Sequence, residues 1–375
     1  MNISDERLRK AYEALKEVGI HARVFLSMPV VENATPACLD DQKQAERANT
    51  DEGLERRHGI FSLKEASLSV LDHLALYGDG CFEGILIKNN QIFLWQEHIE
   101  RFFKSAEMLH ISIPYSPKQL TELLLRTCQA VDPSLREQGY IRLVVSRGMG
   151  DLGINPAKCI GATLFALASS INLYPRSYYE QGISLGVSRN IRRPNAQILN
   201  PNIKSNNYIN NVLGLLEGAA ETDMESIMLT ERGFIAEATV DNIFSIERNK
   251  DWESDTSKVV ARTPRAQYCL IGITRALTIK LLKEEGYTVD DDADMMPIDL
   301  MGENRECFMT GTGAGVLPVI SVIGKVIGDG RPGPITKSLV EKIQATMNNP
   351  AFGLSIDADA AEIDNYLSSP SLLYG

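Results

Sequence analysis

Lys204 is a candidate for covalent chemistry because of the residues that surround it in the sequence. It is the only formally charged residue between Pro194 and Leu216, where its neighbours are Asn, Ile, Leu, Pro and Tyr. An ammonium without charged neighbours loses hydration, which favours the neutral amine, and a neutral lysine amine can form a Schiff base with a carbonyl compound. The alternative is an exposed lysine in an Asn-rich loop, followed by a helix that Asn206 or Asn207 caps.

Further charged side chains could assist such an amine. Arg101 lies off the apolar stripe of a predicted helix, where it could bind an anion or form an exposed pair with Glu97 one turn earlier. Glu237 lies on a predicted strand between two alanines, which suits either a solvated strand face or a carboxylate that faces a protonated ring nitrogen. Tyr140 and Arg142 share one face of an apolar strand and could bind a carboxylate together or form a surface pair.

Two backbone segments could bind an anion through their N–H groups. Gly272-Ile273-Thr274 opens a predicted helix, and the N-terminus of a helix attracts anions, although every helix shares this property. The Gly/Thr turn from Thr310 to Gly315 could form a similar nest of amides. A strand-like segment rather than a helix follows this turn, so its GxGxG pattern does not indicate a dinucleotide-binding fold.

Strands and helices that position these residues can be predicted from local patterns. ILIKNNQIFLW consists of two β-rich runs around Asn89-Asn90, which predicts a hairpin. The next segment, EHIERFFKSAEMLHI, repeats its apolar residues with the period of a helix. ESIMLT and FIAEATVDNIFSIER are typical of strands, and TRALTIKLLKEEG predicts a helix that ends at Gly286. Arg101 is therefore expected on a helix and Glu237 on a strand.

Length and composition exclude several classes of function. The chain has 375 residues, which indicates two domains, and a net charge of -11, which argues against nucleic-acid binding. Its six cysteines are far apart and lack histidines at metal-ligand spacing, so neither a zinc site nor a disulfide framework is indicated. The N-terminus does not have the pattern of a signal peptide, and no apolar run reaches membrane-spanning length. We therefore expect a cytoplasmic protein without a nucleic-acid or membrane partner.

The order of the motifs along the chain resembles that of the class IV (fold-type IV) pyridoxal-phosphate enzymes, most closely the branched-chain amino acid aminotransferases. The matching stretches are LYGDGCFEGI, HIERFFKSAEMLHI, YIRLVVSRGMGDLGINP, NIKSNNYINN, GFIAEATVDNIF, LIGITR, TGTGAGVLPV and IGDGRPGPIT. The resemblance implies an α/β (α+β) fold of two domains, with the cofactor in the crevice between them. It also implies a homodimer or a higher homo-oligomer.

The resemblance and the changes in composition together predict five segments. We expect an N-terminal extension over residues 1–57 and a small α/β domain over 58–172. A polar and aromatic linker over 173–182 is expected to lead into a larger cofactor-binding domain over 183–348. Residues 349–375 are expected to form a C-terminal tail.

The cofactor that the resemblance implies is pyridoxal 5'-phosphate. Lys204 would bond to its aldehyde as a Schiff base and later move the proton between substrate and cofactor. Tyr208 would lie against the phenolic oxygen, and Glu237 would keep the pyridine nitrogen protonated, so that the ring accepts electrons. The residues that the resemblance assigns to the phosphate are Arg101, the amides of Ile273 and Thr274, and Thr312.

The resemblance also implies a set of substrate contacts. These are Tyr77 of the partner subunit, Phe82, Tyr140, Arg142 and the amides of Thr312 and Gly313. Two positions depart from the usual pattern: Leu86 replaces an arginine that often follows FEGI, and Gly315 replaces an acidic residue.

The resemblance thus implies an enzyme of branched-chain amino acid metabolism that moves an amino group from a Leu-, Ile- or Val-type L-amino acid to 2-oxoglutarate in two stages (ping-pong). The same fold also occurs in D-amino acid aminotransferases, aminodeoxychorismate lyases and R-selective amine transaminases. D-amino acid aminotransferases carry a basic RxH where this chain has GMGDLG after Arg147. A catalytically silent scaffold is a further alternative, against which the presence of Lys204, Glu237 and Arg101 together argues.

Overall fold

The chain divides into two compact units. The computed structural model describes residues 6–31, 34–40, 46–47, 55–171, 174–218 and 225–373. Unit 1 contains Met1–Asn172, Lys204–Asn207 and Asn348–Gly375, and unit 2 contains Leu173–Ile203 and Tyr208–Met347. The short segment that carries Lys204 therefore belongs to unit 1, although the residues on both sides of it belong to unit 2.

The described residues of unit 1 form one antiparallel sheet of eight strands in the order β17-β5-β4-β6-β7-β1-β3-β2. Its strands are β1 Arg23–Pro29, β2 Glu46–Arg47, β3 Arg56–Ser62, β4 Gly80–Lys88, β5 Gln91–Phe93, β6 Gln138–Ser146, β7 Thr163–Ser169 and β17 Gly353–Ser355. Its helices are α1 Glu6–His21, α2 Ala37–Asp40, α3 His73–Tyr77, α4 Trp95–Met108, α5 Pro117–Gln129, α6 Ser134–Glu137 and α11 Ala360–Ser368.

The β4–β5 hairpin and helix α4 agree with the sequence patterns. Asn89 and Asn90 have φ angles of 49° and 60°, as a two-residue type I′ hairpin turn requires. Helix α4 buries Ile99, Phe102 and Ala106 in the same core as α5 and the sheet. The apolar stripe of α4 therefore faces the sheet, as predicted.

Both ends of the chain contribute strands to the sheet of unit 1. Strand β1, from the segment predicted as an N-terminal extension, pairs with β7 and β3, and six of its seven residues are buried. Strand β17, from the segment predicted as a C-terminal tail, pairs with β5, and Leu354, Ile356 and Ile363 enter the core. The described parts of these segments belong to the unit because their apolar side chains enter its core.

Unit 2 is built on a mixed sheet in the order β10-β9-β8-β15-β14-β11-β12-β13, with β16 paired to β15. Its strands are β8 Ile183–Arg192, β9 Glu225–Leu229, β10 Ile235–Ala238, β11 Asn242–Arg248, β12 Val259–Pro264, β13 Thr288–Ala293, β14 Arg305–Gly311, β15 Gly315–Val322 and β16 Lys325–Val326. Its helices are α7 Arg176–Gln181, α8 Ile209–Gly218, α9 Ile273–Glu284 and α10 Pro334–Met347. Strands β8, β9 and β15 are parallel, whereas β14 pairs antiparallel to both β15 and β11.

The segment predicted as an interdomain linker contains helix α7. Tyr174, Tyr178 and Tyr179 pack against the core of unit 2, and the Tyr179 hydroxyl donates a hydrogen bond to the carbonyl of Ala314 at 2.8 Å. The polar residues of this segment are typical of a linker. Three tyrosines within it do not show, from sequence alone, that they pack against unit 2. The described part of this segment, from Tyr174 onward, therefore packs as part of unit 2.

Candidate active site

Lys204 lies opposite Phe82 because its segment pairs with the start of β4. Cys81 and Ser205 form an antiparallel bridge. On either side of this bridge, the Phe82 N–H donates to the Lys204 carbonyl and the Asn206 N–H donates to the Gly80 carbonyl, both at 2.9 Å. Residues that face each other across such a pair project from the same side, which directs Lys204 toward the Phe82 ring.

The Lys204 ammonium rests on an aromatic ring rather than on a carboxylate. Its Nζ lies 4.8 Å from the centre of the Phe82 ring, within the range of a cation–π contact. Within the described part of the chain, no carboxylate forms an ion pair with it. The side chain is half-buried rather than exposed, and the following helix begins at Ile209, two residues after Asn207. The alternative of an exposed loop lysine therefore does not describe this residue.

Tyr140 and Arg142 lie on the same face of the sheet as Phe82. In the register of β4 and β6, Leu86 pairs with Tyr140, Gly84 with Arg142 and Phe82 with Val144. The Arg142 guanidinium carbon lies 4.5 Å from the centre of the Phe82 ring and 5.8 Å from that of Tyr140. Two cations, Arg142 and Lys204, thus contact one aromatic ring, and this arrangement can attract a carboxylate to the face.

Arg101 pairs with Glu83 and not with Glu97. Its Nε and Nη2 donate to the two Glu83 carboxylate oxygens, each at 2.7 Å. Glu97 instead accepts hydrogen bonds from Ser371 and Leu372 near the C-terminus. The two parallel bonds to Glu83 fix the plane of the Arg101 guanidinium.

Glu83 is fully buried, and the groups around it determine its charge. Burial favours a raised pKa, but the charge and hydrogen bonds of Arg101, with a further hydrogen bond from His98, outweigh it and lower the pKa of Glu83 to about 2. Burial in turn lowers the pKa of His98, whose Nδ1 lies 2.8 Å from Glu83. A neutral His98 therefore holds the charged Glu83 carboxylate, which in turn holds the Arg101 guanidinium.

Tyr77 lies at the surface of unit 1. Its side chain is 38% exposed, its hydroxyl donates to the carbonyl of Leu152, and its ring meets that of His73 edge-on at 5.0 Å between ring centres. The resemblance implies that it contacts the substrate bound to the partner subunit. Its exposure leaves it available for such a contact.

Glu237 is buried in unit 2, so the alternative of a solvated strand face is wrong. It accepts hydrogen bonds from the Leu270 N–H at 3.1 Å and from the Asn242 amide at 3.3 Å. Arg193 Nε lies 2.8 Å from Glu237 Oε1, but its N–H is not aligned for a hydrogen bond, so this contact is an ion pair. A paired cation offsets part of the desolvation cost of a buried carboxylate.

Helix α9 begins shortly after Leu270, whose N–H donates to Glu237. The N–H groups of Ile273 and Thr274 donate to no acceptor in the described residues, although both residues are only 3% exposed. The Asn242 amide donates to Glu237 and also to the Leu270 carbonyl at 2.9 Å. The Glu237 carboxylate and the segment before α9 are therefore connected through Leu270 and Asn242. The sequence did not indicate these two residues.

Thr312 and Gly313 form the tip of the β14–β15 hairpin. Gly311 pairs with Gly315, which leaves a three-residue turn. The N–H groups of Thr312 and Gly313 have no acceptor in the described part of the chain, so they could bind an anion. Tyr208 is half-buried immediately before α8.

The donor set fits an organic cofactor better than a metal. No cluster of three or more His, Cys, Asp or Glu side chains suits a metal among the described residues, and all six cysteines are free thiols. An amine free of carboxylates, a buried carboxylate and unpaired N–H groups at a helix N-terminus suit an aldehyde, a ring nitrogen and a phosphate, respectively. These three groups occur together in pyridoxal phosphate. None of the helices in the described residues is both long and apolar enough to cross a bilayer.

Comparison with known proteins gives similarities over most of the chain. Residues 80–322 match a family model described as amino-transferase class IV. A protein of Methanocaldococcus jannaschii, provisionally named a branched-chain-amino-acid aminotransferase, is 39% identical over 283 residues, which are 75% of this chain and 91% of the relative. A D-alanine aminotransferase of Bacillus licheniformis is 29% identical over 291 residues, 76% of this chain and 93% of the relative.

A solved structure supports the same similarity at the level of the fold. The branched-chain amino acid aminotransferase of Escherichia coli superposes with a TM-score of 0.67 at 27% identity. The match covers 78% of this chain and 93% of that protein.

Proposed function

The chain belongs to the class IV aminotransferase family, an enzyme family that uses pyridoxal phosphate, and we propose that it transfers amino groups from branched-chain L-amino acids to 2-oxoglutarate. The substrates of an aminotransferase are small amino acids and 2-oxo acids. The observation that carries the proposal is the common face of Lys204, Phe82 and Arg142, which combines an amine with apolar surface and a carboxylate-binding cation. The relative of 39% identity with a branched-chain name supports the substrate class.

The cofactor, when bound, supplies a ring that withdraws electrons from the substrate carbon. In this proposal the amine of Lys204 would hold the cofactor at its aldehyde carbon and would take up and return the substrate proton. Glu237 would accept a hydrogen bond from the ring N–H, and Tyr208 would donate one to the phenolic oxygen. The groups that bind the phosphate are the guanidinium of Arg101, the N–H groups of Ile273 and Thr274, and the hydroxyl of Thr312.

Substrate binding in this proposal separates the carboxylate from the side chain. The N–H groups of Thr312 and Gly313 and the hydroxyl of Tyr140 bind the α-carboxylate. Arg142 binds the second carboxylate of glutamate or 2-oxoglutarate. Phe82 and Tyr77 of the partner subunit contact the branched side chain, and the two substrates occupy the same site in turn.

The test of this function is a panel of amino donors and oxo acids with purified holoenzyme. We expect kcat/KM for leucine, isoleucine and valine with 2-oxoglutarate to exceed that for alanine at least about tenfold, because an apolar pocket gains about 0.8 kcal/mol for each buried methylene. Double-reciprocal plots of the initial rate against donor concentration, at several acceptor concentrations, should give parallel lines, as two-stage exchange requires. Equal rates with alanine, or intersecting lines, would contradict the proposal.

The similarity to a D-alanine aminotransferase supports a second candidate. A D-specific enzyme would use D-alanine and leave L-leucine unused under the same conditions. The panel therefore includes both enantiomers of each donor. Product formed from D-donors alone would replace the L-specific proposal while leaving the family assignment unaffected.

Helix α8 supports a homodimer because its apolar residues face outward. The residues that it buries against β8 and β9 are Asn211, Gly214 and Gly218. Ile209 and Leu216 are each 68% exposed, and Val212 and Leu213 are about half exposed. An apolar helix face of this kind is typical of an interface, and we propose that a second copy of the chain covers it.

Replacing Leu216 with glutamate is expected to weaken the dimer at least about 100-fold, because each copy would bury a charge instead of a leucine worth about 1.5–3 kcal/mol. Sedimentation of the wild type should give twice the chain mass of 41.4 kDa, and the variant should approach a single chain. The control is Ile298→Glu, at a residue of the same unit that is 66% exposed. A monomeric wild type, or a dimeric Leu216→Glu variant, would count against this interface.

A further inference from the structure

Gly84 occupies a position where the backbone does not require glycine. It lies within β4, opposite Arg142, and is not among the residues with positive φ. Its backbone therefore does not have the left-handed conformation that favours glycine. If glycine is required at residue 84, the reason is the space around it.

That space is filled by one side chain. A Cβ atom built on Gly84 would lie 1.9 Å from the Tyr140 hydroxyl oxygen, 2.8 Å from its Cζ and 3.4 Å from its Cε1. These are the three nearest atoms, and all belong to Tyr140. At Gly139, in contrast, an added Cβ would meet the backbone oxygen of Leu135 at 2.2 Å.

We propose that Gly84 is a positioning residue for Tyr140: it leaves the space in which the tyrosine hydroxyl lies over β4 and reaches the substrate carboxylate. The proposal rests on the substrate role proposed above for Tyr140. Because the obstructing atoms form the end of a side chain, a methyl group at residue 84 displaces the hydroxyl without displacing the strand. Gly84 therefore controls substrate affinity through Tyr140 and leaves cofactor binding unchanged.

The test is a double-mutant cycle of Gly84→Ala and Tyr140→Phe, measured on holoenzyme. Each single variant should weaken binding of 4-methylvaleric acid, a branched carboxylate probe, about tenfold by calorimetry, as expected for the loss of one hydrogen bond to a charged group. KM for leucine should rise by a similar factor, whereas kcat should change less than threefold. The double variant should be far less than 100-fold weaker than the wild type, because both changes remove the same contact.

Three further measurements separate positioning from a general structural role. The melting temperature and the pyridoxal-phosphate affinity of Gly84→Ala should equal those of the wild type, whereas Gly139→Ala should lower the melting temperature because its obstruction is backbone. Unchanged probe affinity in Gly84→Ala, or effects that multiply in the double variant, would overturn the inference while the aminotransferase proposal stands. A wild type that neither transfers amino groups nor binds the probe would overturn both.

Discussion

Replacing Lys204 with alanine is expected to abolish amino transfer while unit 1 remains folded. The amine is proposed both to bond to the cofactor and to move the substrate proton, and proton transfer alone is worth about 10²–10⁴-fold in rate. We therefore expect kcat/KM to fall at least about 10³-fold. The backbone pairing that holds residue 204 on β4 does not involve its side chain, so the fold should persist.

The measurement combines kinetics with borohydride reduction. In the wild type, reduction should fix the cofactor on the peptide that contains Lys204, and mass spectrometry of a digest should locate it. The control is Lys88→Ala, because Lys88 lies on the same strand β4 and donates to Gln138 at 3.3 Å. That variant should retain wild-type activity. Cofactor fixed on another lysine, or a Lys204→Ala enzyme that remains active, would refute the assignment.

The position of Lys204 illustrates what the sequence alone could not provide. The neutral stretch around it indicated an amine free of carboxylates, because that property depends on neighbours in sequence. Its placement opposite Phe82 depends on a bridge between Cys81 and Ser205, which are distant in sequence and have no local signal. Local patterns therefore predicted the Lys204 amine as a candidate, and only the fold showed that it lies against Phe82.

Glu83 shows the same limit within one motif. Alternation along β4 places Glu83 on the face opposite Phe82, in the core, where a lone carboxylate would be costly. The helix pattern placed Arg101 off the apolar stripe of α4, and an exposed pair with Glu97 was then the simplest alternative. The actual pair with Glu83 follows from packing of α4 against β4, which the two separate periodicities do not specify.

The ends of unit 1 were harder to predict than its middle. The hairpin at Asn89-Asn90 follows from turn chemistry, which is local. Strand β1 is a short apolar run whose partners β7 and β3 lie much later in the chain, and the polar residues after it favoured an extension. Long-range pairing of this kind leaves little trace in a single sequence.

Replacing Glu237 with glutamine is expected to lower kcat at least about 100-fold. The neutral amide keeps the shape of the side chain but removes the negative charge that would hold a proton on the ring nitrogen. Electrostatic groups of this kind are worth about 10²–10³-fold in rate. The hydrogen bonds from Leu270 and Asn242 would hold the new side chain in place.

The control for loss of a buried carboxylate is Glu225→Gln. Glu225 lies on β9 in the same unit, is only 4% exposed and accepts hydrogen bonds from Thr239. Burial raises the pKa of Glu225, and an amide at this position keeps the acceptor oxygen that Thr239 contacts. We therefore expect Glu225→Gln to keep a wild-type kcat per folded holoenzyme.

The loss of charge at residue 237 also leaves Arg193 without its paired carboxylate in a buried site, so a fall in stability must be separated from a fall in rate. Breaking a buried pair by removing one partner costs about 3–5 kcal/mol. Single-turnover rates with leucine, normalised to bound cofactor, report the chemical step on folded molecules only. Because the charge is proposed to act on the cofactor ring, the normalised rate of Glu237→Gln should stay low even where its melting temperature is restored by excess cofactor. A normalised rate within threefold of the wild type would mean that Glu237 supports the fold through Arg193 and has no part in the reaction.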